Sequence, residues 1–148
     1  MVRGPGACSP AEQAFALQLG AAWAGDTSAS APQPLQAIID TTPAWKPVVQ
    51  AMRSLAPGGR LVINAIRKEE GDKACLLELD YPTHLWLEKE IKSVANITRQ
   101  DIREFLDLAA SIPIHPEIQL YPLEAANQAL SELKMRKIRG AKVLQIAQ

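Results

Sequence analysis

Three stretches of this chain end in residues that could meet a flat, polar ligand. AIID (37–40) runs into Thr41-Thr42. PGGRLVINAI (57–66) breaks from a turn into a strand, and a lone Asn64 sits among apolar neighbours beside Ala65 and Ile66. A candidate strand over residues 91–95 runs into Asn96. In parallel α/β sheets, ligands bind in the crevice beyond the carboxyl ends of the strands. Each of these three ends offers backbone groups or a small polar side chain there. A plainer reading is also open: Thr41 and Thr42 start a turn, and Asn96 starts the next helix. Pattern alone does not separate the two.

Other chemistry is poorly supplied. The two cysteines, Cys8 and Cys75, and the two histidines, His84 and His115, are scattered and show no metal-ligand spacing. The thiols read as reduced cysteines of a cytoplasmic protein, and both histidines as surface or loop residues. Gly4-Pro5-Gly6-Ala7 is a poor phosphate-binding turn, because only three residues precede it and Pro5 does not suit the motif. Lys+Arg and Asp+Glu both number 16 in the 148 residues, so nothing marks a nucleic-acid partner. No apolar run approaches the ~18 residues of a membrane span. The start, MVRGPGACSP, does not read as a secretory signal.

The elements that must position the strand ends follow from punctuation and periodicity. Ser9-Pro10-Ala11-Glu12 is a helix start with a capping box, and Gly20 stops that helix. AAWAG (21–25) is a candidate short strand, and 26–36 a loop rich in Ser, Pro and Ala. AIID reads as a buried strand. A helix follows over 45–55 with Val48, Val49, Met52 and Leu55 as its stripe, Pro47 in its first turn and Pro57-Gly58-Gly59 ending it. RLVINAI is the next strand, so the two form a βαβ unit with parallel strands. RKEEGDK (67–73) reads as a charged, solvated loop. A helix from Thr98 carries Ile102, Phe105, Leu106, Ala109 and Ile112. EIQLY (117–121) is a strand. A helix opened by Pro122-Leu123-Glu124 buries Leu123, Ala126, Leu130 and Leu133, and AKVLQIA (141–147) is a last strand. Strands alternating with helices predict an α/β protein with a parallel sheet.

The succession AIIDTT, PGGRLVINAI, WLEKEIKSVANITRQDIREFL, IPIHPEIQLYPLEAANQAL and KIRGAKVLQI resembles the C-terminal part of medium-chain, zinc-type alcohol dehydrogenases, of the medium-chain dehydrogenase/reductase group. SVANITRQD, YPLEAANQAL and KIRGAKVL, in that order, carry the specificity. The resemblance implies an α/β fold: a partial Rossmann domain, a doubly wound parallel sheet lacking its first strands, with a C-terminal strand-helix-strand tail. Residues 1–114 would be the C-terminal part of the NAD(P)-binding domain, and 115–148 a tail that in the family returns to the catalytic domain. It also implies a nicotinamide cofactor, NAD or NADP. Thr41 and Thr42 would lie near its adenosine side. The backbone at Asn64, Ala65 and Ile66 would hold the carboxamide, the segment ending in Asn96 would close over the ring, and Arg139 would reach the pyrophosphate. Small alcohols and aldehydes are the family's substrates.

The departures from the family qualify that picture. The G-x-G-x-x-G turn is missing, and Met1-Val2-Arg3 reads as the stump of a second sheet strand. The family's zinc ligands come from an N-terminal domain, so no zinc and no independent activity are expected of this chain. It reads as a C-terminal piece needing its N-terminal half. The alternative is a non-catalytic truncated paralogue that binds or dimerises through an open sheet edge, which would make it a homo-oligomer. LAPGGRLVI also occurs in methyltransferase-like folds, but KIRGAKVL fits the dehydrogenase better.

Overall fold

The computed structural model describes residues 9–112, 114–135 and 138–146. Met1 to Cys8, and with them the glycine-proline turn and the strand stump, lie outside the described residues. The chain divides into two compact units, Met1–Asn96 and Ile97–Gln148.

The first unit opens with α1 (Pro10–Gln18), capped as its sequence requires. Ser9 N–H donates to Glu12 Oε2 at 2.6 Å and Glu12 N–H to Ser9 Oγ at 3.2 Å. The AAWAG segment forms no strand. β1 (Leu35–Asp40), α2 (Lys46–Arg53), β2 (Leu55–Ile63) and β3 (Glu90–Ser93) follow. The sheet order is β1-β2-β3 and both pairings are parallel. The βαβ unit read from the sequence is therefore present. Along it Ile38 lies opposite Leu61 and Ile91, and Asp40 opposite Ile63 and Ser93.

Period-two alternation decides which face is covered. Val48, Met52, Leu55 and Leu61 form the buried cluster, with Ile38, Ala51 and Ile63 packed against it. Ile39, one residue on from Ile38 and so on the other face of the sheet, is exposed.

Pro57-Gly58-Gly59 does not end the helix. Ser54 already caps α2, and the triplet lies inside β2 as a bulge, with Leu35 opposite Leu55 but Ala37 opposite Arg60. Gly58 takes φ +68° and donates its N–H to the Leu87 carbonyl at 2.8 Å. Gly59 is buried, and a Cβ there would stand 2.8 Å from the Ala56 carbonyl oxygen and 3.0 Å from that of Leu35.

His84 is likewise not a surface residue. It is 1% exposed, in a single π-helical turn over Tyr81–Leu85. Arg53 Nε–H donates to its Nε2 at 3.3 Å. On the other side of the ring, Asp80 N–H donates to Nδ1 at 2.9 Å, and the Asp80 carbonyl lies 3.0 Å from the same nitrogen.

The second unit holds α3 (Arg99–Ser111), β4 (Ile118–Pro122), α4 (Ala126–Lys134) and β5 (Ala141–Gln145), with β4 and β5 parallel. Thr98 and Asp101 cap α3 reciprocally. Leu123, Leu130 and Leu133, expected to be buried, are exposed, because a two-stranded sheet offers α4 little to cover. Ala129 is the helix's buried residue. A polar cluster ties the unit together. Lys142 Nζ donates to Glu132 Oε2 and Tyr121 Oη, both at 2.5 Å, and Tyr121 O–H donates to Glu132 Oε2 at 2.7 Å. These bonds from Lys142 and Tyr121, with one from Gln128, lower the Glu132 carboxyl from 4.5 to about 2.

Gly59→Ala should lower stability by about 1–3 kcal/mol, since the added methyl meets backbone it cannot displace; denaturant unfolding checks it. In the second unit Glu132 is more acidic folded than unfolded. Its contribution is therefore present above pH 4.5 and lost as pH falls towards about 2. Glu132→Gln should remove that acid-sensitive limb from a pH series of melting curves.

Candidate functional site

β1, β2 and β3 finish level with one another at Asp40, Ile63 and Ser93, so the residues just beyond them share one end of the sheet. Thr41 and Thr42 follow β1. Asn64, Ala65 and Ile66 follow β2, which stops at Ile63 rather than running through them. Asn96 lies three residues beyond β3. The fold thus brings the first-unit candidates to neighbouring strand ends.

Their engagements differ. Asn64 N–H donates to the Asp40 carbonyl at 2.7 Å and so extends the β1–β2 ladder. Its side chain is exposed, Ala65 is half-buried, and Ile66 is 105% exposed relative to the reference residue. Asn96 is exposed with φ +62°, the left-handed region that asparagine tolerates better than most residues. Thr41 is exposed. Thr42 faces inward: its hydroxyl donates to Asp40 Oδ1 at 2.8 Å, and its N–H points at the same oxygen at 3.4 Å. Arg139 belongs to the second unit, where its Nε pairs with Glu117 Oε1 at 2.8 Å.

Behind these strand ends sits a buried charge pair that the sequence reading missed. Asp40 and Lys68 have side chains only 5% and 10% exposed, and Lys68 Nζ lies 2.5 Å from Asp40 Oδ2. The same ammonium donates to the carbonyls of Thr42 at 2.9 Å and Ala44 at 2.8 Å. An ammonium has three protons, and each has an acceptor here. The Trp45 ring centroid stands 5.6 Å away, and the buried Trp45 indole N–H has no partner.

RKEEGDK is therefore not uniformly solvated. Asp72 Oδ2 accepts from Trp45 N–H at 2.9 Å and Lys46 N–H at 2.7 Å, capping α2 from 26 to 27 residues away. Burial pushes the Asp72 carboxyl up, but the Trp45 and Lys46 N–H bonds outweigh it and leave the carboxyl below its ordinary 3.8. Glu69 N–H adds a bond to the Pro43 carbonyl at 2.8 Å. One signal could have exposed this network: an aspartate closing an apolar strand must find a partner if it is buried.

At the opposite end of the same sheet lies an open cleft of about 650 Å³, lined by Pro57, Gly58, Tyr81 and Leu85 to Glu88. Leu87 and Glu88 stand there at φ +67° and +61°, a strained setting for residues with side chains. The cleft contains none of the strand-end candidates. Among the described residues, no three His, Cys, Asp or Glu side chains converge to hold a metal, and no helix is long and apolar enough to cross a membrane.

Strand, crossover helix and strand in parallel order, with small polar residues just past the strand ends, define an α/β protein with a parallel sheet. The comparisons narrow this. The chain is 40% identical over 132 residues to the probable alcohol dehydrogenase AdhA of Mycobacterium tuberculosis, a match covering 89% of this chain and 37% of that protein. It thus spans little more than a third of that relative's length. The cinnamyl alcohol dehydrogenase SbCAD4 of Sorghum bicolor superposes with a TM-score of 0.71 at 22% identity, over 92% of this chain and 38% of that one. The Helicobacter pylori enzyme CAD, solved with NADP(H), gives 0.67 at 18% identity, over 93% and 39%. No family model matches the chain. The fold is that of the Rossmann-containing alcohol dehydrogenases, and the sequence resembles their C-terminal part.

Asp72→Ala should cost about 1 kcal/mol, the usual loss for an N-cap, and should raise amide exchange at Trp45 and Lys46 above that at Leu61. Exchange read by nuclear magnetic resonance checks both.

Proposed function

We propose that this chain is the cofactor-side portion of a zinc-type alcohol dehydrogenase, and that its strand-end crevice receives a nicotinamide dinucleotide. The observation that carries the reading is the level finish of three parallel strands, with Thr41-Thr42, Asn64 to Ile66 and Asn96 just beyond them. Thr41 and Thr42 are assigned to the adenosine side. The backbone at Asn64, Ala65 and Ile66 is assigned to the carboxamide, and the exposed Ile66 side chain offers apolar surface nearby. Asn96, bent into the left-handed region, lets the segment from β3 turn over the ring.

Arg139 is assigned to the pyrophosphate on the sequence resemblance alone. Its guanidinium suits phosphate oxygens, and it would have to exchange Glu117 for them. We assign 1–114 to the NAD(P)-binding part and 115–148 to the tail. The whole protein's reaction would be hydride exchange between a small alcohol or aldehyde and the nicotinamide, and the cofactor is NAD or NADP. The described residues offer no zinc ligand set, so no step through that metal is assigned to them.

A second reading, a dimerising module, draws on one feature. Among the described residues, β1 pairs within its sheet on one side only, with β2. An edge of this kind can add a strand from another chain.

Titration of the chain with NADH and NADPH, followed through backbone amide shifts, tests the first reading. Saturable shifts are expected at 41–42, 64–66 and 96, with little change along α2. Their absence at millimolar cofactor would overturn it. Concentration-dependent sedimentation together with new protection along β1 would favour the dimerising module instead.

A further inference from the structure

Lys68 is a basic residue at the strand ends, the place to look for a phosphate contact, yet its charge is wholly spent inside the protein. Its three protons go to Asp40 Oδ2 and to the carbonyls of Thr42 and Ala44. Asp40 in turn takes the Thr42 hydroxyl on its other oxygen. Through its backbone carbonyl Asp40 also receives Asn64 N–H. One buried cation therefore fastens the loop after β1 (41–45) to the loop after β2 (64–72), and Glu69 N–H to the Pro43 carbonyl closes the tie a second time.

Stability alone is a weak reason for such a pair. Taking two charges out of water costs several kcal/mol each, and apolar replacements of similar volume are often neutral or better. What an apolar pair could not do is fix two carbonyls and a carboxylate about one point. That sets the separation of the two loops and turns the Thr42 and Ala44 carbonyls inward.

We infer that Lys68 is a positioning residue: with Asp40 it sets the spacing of the two strand-end loops that receive the dinucleotide, without touching the dinucleotide itself. The inference rests on the cofactor reading above.

The test uses the full chain with NADH as probe. In the double variant Asp40→Asn/Lys68→Met both charges go and most of the volume stays. Its unfolding midpoint should stay close to that of the parent. NADH affinity should fall roughly tenfold, equivalent to about 1.4 kcal/mol, and amide exchange at Asn64 and Glu69 should rise while that at Leu61 does not. The affinity loss should be the same at low and high salt, because no phosphate contact has been removed.

A measurement on the parent chain stands if the variant fails to fold. The Lys68 ammonium, held by three acceptors, should give a resolved, slowly exchanging signal that NADH leaves in place while moving the amides of 64–66. Equal NADH affinity in the folded variant would overturn the inference and leave the cofactor reading intact. So would a smaller salt dependence in the variant, or an ammonium signal displaced by NADH. No NADH binding by the parent chain would overturn the cofactor reading itself, and this inference with it.

Discussion

Two charges buried at one end of a three-stranded sheet impose the local order of everything around them. Once Asp40 closes β1 on the face covered by α2, its carboxylate cannot reach bulk water, and a cation must be delivered to it. Lys68 arrives from the loop after β2 and brings its own remaining protons, which require carbonyls. Those carbonyls come from Thr42 and Ala44, so the turn into α2 takes the shape the ammonium dictates. The start of α2 is then within reach of the same loop, and Asp72 caps it. Strand end, helix start and loop are consequences of one another, and none of the three could be rebuilt alone.

The parts of this arrangement that the sequence disclosed were those governed by period and punctuation. Val48, Met52, Leu55 and Leu61 recur on the faces they bury, and Ser9-Pro10 and Thr98 announce helix starts by chemistry confined to four residues. What stayed hidden depended on partners distant along the chain. Asp72 looks like any acidic loop residue until the N–H groups of Trp45 and Lys46 are placed beside it. His84 looks like a loop histidine until Arg53 meets its ring. Pro57-Gly58-Gly59 has the composition of a helix stop, but the helix ends earlier, and the glycines serve instead to let β2 bulge past the carbonyls of Ala56 and Leu35.

The candidate site divides along the same line. That Asn64 falls where a strand ends was readable from its isolation among apolar residues. That its N–H is already committed to Asp40 was not, because the partner lies 24 positions earlier in the numbering. A ligand meeting this end of the sheet would therefore find side chains and other backbone groups rather than that N–H. Thr42 is similar: its hydroxyl looks available in the sequence and is engaged in the structure, which leaves exposed Thr41 as the more accessible of the two.

The apolar surfaces bear on how such a site is completed. Ile39 on the sheet face away from α2, and Ile102, Phe105 and Leu106 along α3, are exposed, although the three α3 residues recur at the spacing a helix would use to bury them. The sequence is thus patterned for more contacts than the described residues supply. The chain spans 37% of the length of the mycobacterial relative it matches. The strand-end loops do not share that deficit. Their polar groups are tied within the first unit, by a pair whose side chains are at most 10% exposed. The spacing of the two strand-end loops is thus set within the first unit by Asp40 and Lys68, whatever covers the apolar faces.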